Sequence, residues 1–254
     1  METLIVERDA GVVTVTINRP EKRNAMTTAM FRELRETFAD ISRRPDDRVM
    51  ILTGAAGAFS AGADLTQAPE HHPLVHMRSV SDMALELHRL AKPTIAKVNG
   101  AAIGAACNLA LGCDLIVASD DARFGETFSQ RGLSVDCGGS WLLPRLIGLH
   151  RAKELVLLGD IISAKEAWEI GLVNRVVPGA DLDRFVSDWA GRLAAGPPLA
   201  QSMSKTLLNH SWQTSMDQAL EDEARCQAVN LETADMAEAM RAFFEKRQPV
   251  FQGS

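Results

Sequence analysis

The apolar residues of this chain keep two different periods, and the order in which the periods alternate leaves few folds open. LIVERDA and GVVTVTI carry apolar residues at every second position, with Asp9, Ala10 and Gly11 between them, which predicts a hairpin of half-buried strands. From Thr27 or Thr28 the spacing changes: Met30, Phe31, Leu34, Phe38 and Ile41 recur as on one face of a helix running to about Arg43. VMILTG then reads as a buried strand, 79–90 as a helix, KPTIAKVNG as a strand, GAACNLALGC as a short helix of small residues and DLIVAS as a strand. ARFG is a brief strand, 139–147, 151–158 and 163–170 read as helices, and LVNRVV is a last strand. From Asp181 only helical spacing remains: one helix to about Ala195, a break at Gly196, Pro197 and Pro198, then helices near 199–210, 216–230 and 234–246. This order predicts an α/β body over 1–195 and an all-helical segment over 196–254. The tail holds Leu207, Leu208, Trp212, Met216, Leu220, Phe243 and Phe244, more apolar surface than so short a segment buries by itself. Packing on the body and packing on another subunit both account for it.

At 254 residues the chain is long enough for a large core. A net charge of −6 argues against nucleic acid or an anionic membrane surface as partner, so any anionic ligand must be held locally. The start, METLIVERDAGVVTVTINRP, lacks a signal-peptide pattern and no apolar run is long enough to span a bilayer, so a cytoplasmic location is expected. Cys107, Cys113, Cys137 and Cys226 form no CxxC pair, and His71, His72, His76, His88, His150 and His210 form no HExxH, so neither a metal site nor a disulfide framework is expected.

Two segments share a design. AGAFSAGADL and VNGAAIGAACNLAL each run from a strand through Gly and Ala toward an expected helix. Small residues allow close approach to the backbone, and the first amides of a helix have no partner within it. One such turn is unremarkable; two after central strands suggest amides converging on one oxygen. Asp136, in GLSVDCGGSW, stands among small and apolar residues just before an expected helix, where capping and acid/base chemistry are both open. Cys137 reads as packing, since no His is near it in sequence. Asp64 is placed where a carboxylate caps a helix or contacts a ligand.

FSAGADL, KPTIAKVNGAAIGAACNLALGCDLIVAS, GLSVDCGGSWLLPRLIG and the closing FFEKRQPVFQG, in that order along the chain, resemble the crotonase superfamily, the enoyl-CoA hydratase/isomerase family. The resemblance implies a spiral of ββα units, a C-terminal helical segment used in trimers or dimers of trimers, and an acyl-coenzyme A thioester as substrate, with no cofactor beyond the coenzyme A it carries. It places the oxyanion-hole amides at Ala61 and Ala105, and contacts to coenzyme A and acyl group at Lys22, Arg23, Ala25, Ala61, Gly62, Ala63, Asp64, Leu65, Gly104, Phe128 and Lys246. Lys246 would reach a neighbouring subunit's ligand.

The chain departs from the hydratase pattern at both of that pattern's glutamates, which fall on Asn108 and Phe128. Glu126, two residues before Phe128, would need a shift in register to face the same site. Asp136 lies where related isomerases and dehalogenases carry their working carboxylate, and Asn108, Asp136 and GGSWLLPRL together are most similar to the ring-epoxide isomerases of the superfamily. The expectation is an isomerase in which Asp136 moves a proton, Asn108 orients it or the substrate, and Phe128 keeps the acyl site dry. A hydratase, an acyl-CoA binder without turnover, and a dehalogenase or thioester hydrolase with an aspartyl intermediate are the alternatives. Residues 66–79, with Pro69, His71, His72 and Pro73, read as a loop over the acyl group.

Overall fold

The computed structural model describes residues 3–66 and 72–254. Strands β1 (Leu4–Asp9) and β2 (Val12–Ile17) form the expected hairpin, closed by Ala10 and Gly11 at φ +46° and +82°. The helix α1 (Thr28–Arg43) begins where Thr27 accepts a hydrogen bond from the Met30 amide, and it buries Met30, Phe31, Leu34, Phe38 and Ile41. β3 (Val49–Gly54) is buried on both faces. Helix α2 (Pro73–Arg89) is longer than the spacing implies: its first two turns expose Leu74, Val75 and Met77, so only Val80, Met83 and Leu87 leave a periodic signal. The expected loop over 66–79 is corrected accordingly; its Pro69 and His71 lie outside the described residues.

β4 (Thr94–Val98) is followed by β5 (Ala101–Ile103), α3 (Ala105–Leu111), β6 (Leu115–Ser119), β7 (Arg123–Gly125), α4 (Gly139–Ile147), α5 (Leu149–Leu158), β8 (Ile161–Ser163), α6 (Ala164–Glu169), β9 (Arg175–Val177) and α7 (Leu182–Ala194). The order strand, strand, helix repeats in β1-β2-α1, β4-β5-α3 and β6-β7-α4. Six strands pair as β1-β2-β3-β4-β6-β9, parallel apart from the hairpin, and β5-β7-β8 form a second sheet. Alternation divides the large sheet into two faces. Met50, Leu52, Ala96, Val98, Ile116 and Ala118 join the main core with α1, α2 and α3. Val49, Ile51, Ile95 and Val117 pack on Leu182, Val186 and Ala190 of α7.

The tail is α8 (Pro198–His210), α9 (Met216–Leu231) and α10 (Ala234–Glu245). It is tied to the body by polar contacts: Lys205 Nζ lies 2.8 Å from Asp114 Oδ2 and donates to the Lys92 carbonyl at 3.0 Å, and Arg48 donates to the Phe251 carbonyl at 2.7 Å. The body does not cover the tail's large side chains. Leu208, Trp212, Met216, Phe243 and Phe244 all remain exposed.

Candidate active site

The two small-residue segments meet, but differently from the sequence expectation. Only the second enters a helix: α3 starts at Ala105, after Gly104 at φ +58° and ψ −125°, a conformation open to glycine alone. The first, residues 55–66, stays irregular and joins the second sheet through Ser60, whose amide donates to the Ala101 carbonyl at 2.9 Å while its carbonyl accepts from the Ile103 amide at 3.1 Å. Gly62, at φ +93°, lies so close to this strand that a Cβ there would be 2.6 Å from the Ile103 oxygen and 3.7 Å from the Ala105 nitrogen. The backbone around 62–63 therefore adjoins the free start of α3.

Which amides are available follows from their partners. Ala61 N–H donates to the Arg23 carbonyl at 3.0 Å, so the expected oxyanion-hole role of Ala61 is corrected: its proton is already engaged. Gly62 N–H donates to Ser60 Oγ at 3.1 Å and Asp64 N–H to the Met26 carbonyl at 2.8 Å. Among the described residues, the amides of Ala63 and Ala105 have no hydrogen-bond acceptor. Phe128 is buried with its ring 3.7 Å from where a Gly104 Cβ would be, an apolar wall beside the start of α3.

Asp64 does not stand in the first turn of a helix, as expected, since none begins there. Its carboxylate accepts from Thr66 Oγ1 at 2.6 Å, the Thr66 amide at 3.0 Å and Arg19 Nη1 at 2.6 Å. These bonds, the Thr66 hydroxyl first and then the Arg19 guanidinium, hold its carboxyl well below the usual range. Both oxygens are occupied by this chain, which makes Asp64 a clip for the loop. Arg19 also donates to the Ala25 carbonyl at 3.0 Å, so residues 19–25 are fastened beside the segment. Lys22 and Arg23 are exposed at the end of a short turn over Pro20–Lys22, Leu65 is exposed, and Lys246 is exposed at the end of α10.

The cap alternative for Asp136 fails. The residue before α4 is Gly138, and no side chain caps that helix. Asp136 instead turns its Oδ1 into the interior, where that atom is buried with no hydrogen-bond partner among the described residues. Burial raises its pKa, opposed by a hydrogen bond from the Cys137 thiol and by His76 of α2. Asn108 Nδ2 donates to the Asp136 main-chain oxygen at 3.0 Å and to Glu126 Oε2 at 3.2 Å. Asn108 and Ala105 are three residues apart on α3, so the Asp136 segment is held about one turn from the free amide.

Glu126 is the residue that the sequence expectation underrates. It is 1% exposed, one residue beyond β7, and reaches Asn108 without a shift in register. The strand period places Phe124 and Glu126 on one face, but β7 ends at Gly125 and Phe128 already has helical dihedrals, so no period links Glu126 to Phe128. Burial pushes its carboxyl up to about 7, opposed by hydrogen bonds from Cys107 and Asn108 and reinforced by the charge of Asp136. His76 is the other residue not foreseen at the site; its ring Nδ1 is 3.5 Å from Thr28 Oγ1.

The family model described as enoyl-CoA hydratase/isomerase matches residues 7–254. A 1,2-epoxyphenylacetyl-CoA isomerase of Escherichia coli is 37% identical over 261 residues, covering 100% of this chain and 99% of that protein. A short-chain-enoyl-CoA hydratase of Clostridium acetobutylicum is 35% identical over 253 residues, covering 98% and 97%. Among solved structures, an enoyl-CoA hydratase from Bacillus anthracis superposes with a TM-score of 0.95 at 32% identity over 100% of both chains. With the repeated strand-strand-helix order and the helical tail, these matches show that the chain belongs to the enoyl-CoA hydratase/isomerase family and has the crotonase fold.

Proposed function

We propose that the protein is an acyl-CoA isomerase that works through a thioester enolate with Asp136 as its acid/base group. The observation that carries this reading is the Asp136 carboxyl: partly buried, raised in pKa, unused as a helix cap and held near the start of α3. The Ala63 and Ala105 amides hold the thioester oxygen, where negative charge develops when a proton leaves carbon 2. Asp136 takes that proton from a 3-enoyl chain, the electron pair passes onto the thioester oxygen to form a dienolate that extends through the C3–C4 double bond, and as the carbonyl re-forms the pair of that double bond takes the proton back from the Asp136 carboxylic acid at carbon 4. The product is the 2-enoyl thioester, with no atom gained or lost. Phe128 keeps water from the enolate. Lys22, Arg23 and Ala25, with Lys246 of a neighbouring subunit, contact coenzyme A, and Gly62, Leu65 and Gly104 line its acyl end. Asp64 shapes the loop rather than binding substrate. The exposed apolar face of the tail supports assembly as a trimer or a dimer of trimers, and the chain needs no cofactor besides the coenzyme A of its substrate. Among the described residues no helix is long and apolar enough to cross a membrane, and a cytoplasmic enzyme is proposed.

Hydration is the second reading, favoured by one observation: Glu126 supplies a second carboxyl near Asp136. The test is incubation in heavy water with 3-hexenoyl-CoA, crotonyl-CoA and a ring-epoxidised phenylacetyl-CoA, for the parent and Asp136→Asn. Deuterium uptake or isomer formation that falls about 10²–10⁴-fold in Asp136→Asn supports the isomerase. Efficient hydration of crotonyl-CoA that survives the substitution sinks it.

A further inference from the structure

One buried carboxyl has no part in the proton transfer just described. Glu126 is 1% exposed, and no Lys or Arg is among the groups that shift its ionisation. The titratable groups facing it are Cys107 on α3, Asp136, and Cys137 on the segment before α4; His76 of α2 faces Asp136 behind them. An anion so enclosed, with no cation to pair with among the described residues and another carboxyl nearby, is strongly disfavoured. The interior therefore holds Glu126 neutral below about pH 7.

The hydrogen bonds say where its proton goes. Asn108 Nδ2 donates to Glu126 Oε2 at 3.2 Å, which leaves Glu126 Oε1 and Asn108 Oδ1, both buried, both acceptors, and both without a partner among the described residues. A protonated carboxyl and a carboxamide can pair through two such bonds, the acid donating to the amide oxygen while the amide donates back to the other carboxyl oxygen. Asn108 has little freedom to choose another arrangement. A Cβ on Gly139 would lie 2.4 Å from both its Oδ1 and Nδ2, so the first residue of α4 packs directly on the amide. The same Nδ2 bonds the Asp136 carbonyl at 3.0 Å, a position that also receives the Gly139 amide at 3.0 Å. Asp136 is thus suspended from Asn108, and Asn108 from Glu126.

We propose that Glu126 is a positioning residue for Asp136: in its protonated form it locks the Asn108 amide in a carboxyl–amide pair, and loss of that proton releases Asn108 and with it the backbone that carries Asp136. Ionised, Glu126 sets two oxygens against one another where an O–H···O bond had been, and the amide must turn or move away. Activity then falls as pH rises through the ionisation of Glu126. The proposal rests on the reading of Asp136 as the acid/base group, and the test separates the two.

The test compares the parent with Glu126→Gln, Glu126→Leu and Asp136→Asn, reading isomerisation of 3-hexenoyl-CoA from pH 5.5 to 9 and hydration of crotonyl-CoA beside it. Glutamine is a permanent mimic of the protonated acid: its amide donates to Asn108 Oδ1 and its carbonyl accepts from Nδ2 at every pH. Glu126→Gln is expected to stay within about threefold of the parent's kcat at pH 6, to lose the alkaline fall, and to exceed the parent at pH 8.5. Glu126→Leu is expected to lose about 10- to 100-fold in kcat with KM changed less than about twofold, the scale seen when the partner that orients a reactive group is removed. A Glu126→Gln profile that keeps the parent's alkaline fall, or a Glu126→Leu variant with parental kcat, overturns the role of Glu126 while loss of activity in Asp136→Asn leaves Asp136 in place. Hydration of crotonyl-CoA abolished by Glu126→Gln also overturns it, because Glu126 would then exchange a proton with substrate. Full activity in Asp136→Asn removes the reading on which the proposal stands.

Discussion

At the scale of single residues, burial acts on Glu126 and Asp136 in the same direction, and it pushes the Glu126 carboxyl up to about 7. That has a consequence for stability. Folded, Glu126 keeps its proton up to about 7; unfolded, it releases it near 4.5. Between those values the folded state binds more protons, so the stability this group contributes is fully present below 4.5 and is lost as pH rises to 7. Glu126→Gln does not titrate. Its advantage over the parent in urea unfolding is expected to widen by about 2–3 kcal/mol between pH 5 and pH 8, and an advantage constant across that range would mean Glu126 is ionised in the folded protein. In the sequence Asp136 stood out by residue type, and Asn108 and Phe128 only through the family resemblance. The sequence did not mark which amide is free, because Ala61 is excluded by a bond to Arg23, a residue 38 positions away that no local pattern connects to it. The importance of Glu126 likewise depends on contacts with residues 108 and 136.

At the scale of elements, α3 is the part around which the site is arranged. Its first residue offers an amide, the residue one turn later holds the Asp136 segment, and the glycine before it turns the chain out of β5. Proline at a first helical position removes a donor the helix does not use. Ala105→Pro is therefore expected to keep the parental melting temperature within a few degrees and to lose about 10²–10³-fold in kcat, as when one oxyanion donor is removed. Parental kcat in a folded Ala105→Pro protein would exclude that amide from the chemistry. Gly62→Ala forces a side chain at φ +93° and to within 2.6 Å of the Ile103 oxygen. A loss of at least about 1 kcal/mol in unfolding free energy is expected, together with lower kcat, measured by urea titration and the isomerase assay. Long elements with one buried stripe, α1 above all, were legible from spacing. The short strands β5 and β8 were not, since what makes them strands is their pairing on either side of β7, a tertiary contact.

At the scale of the whole molecule, the tail leaves its largest side chains without cover. Phe243 and Phe244 are each 74% exposed, and burying a phenylalanine fully is worth roughly 1.5–3 kcal/mol. Light scattering coupled to size exclusion is expected to give three or six chains, and Phe243→Glu with Phe244→Glu to shift the protein toward single chains; a monomeric parent would contradict this. The sequence left open whether the tail packs on the body or on another subunit. The structure shows a tail tied to the body by Lys205 and Arg48 yet still apolar on its outer side. What the sequence determined by itself is the class of fold, an α/β chain that ends in helices, because periodicity is a local property of the chain. What only the tertiary structure decided is which backbone amides are free, that Asp136 caps no helix, and that Glu126 meets it through Asn108. Those depend on which groups residues far apart in the chain have already bonded, and burial, which sets the charge of a carboxyl, exists only once the chain is folded.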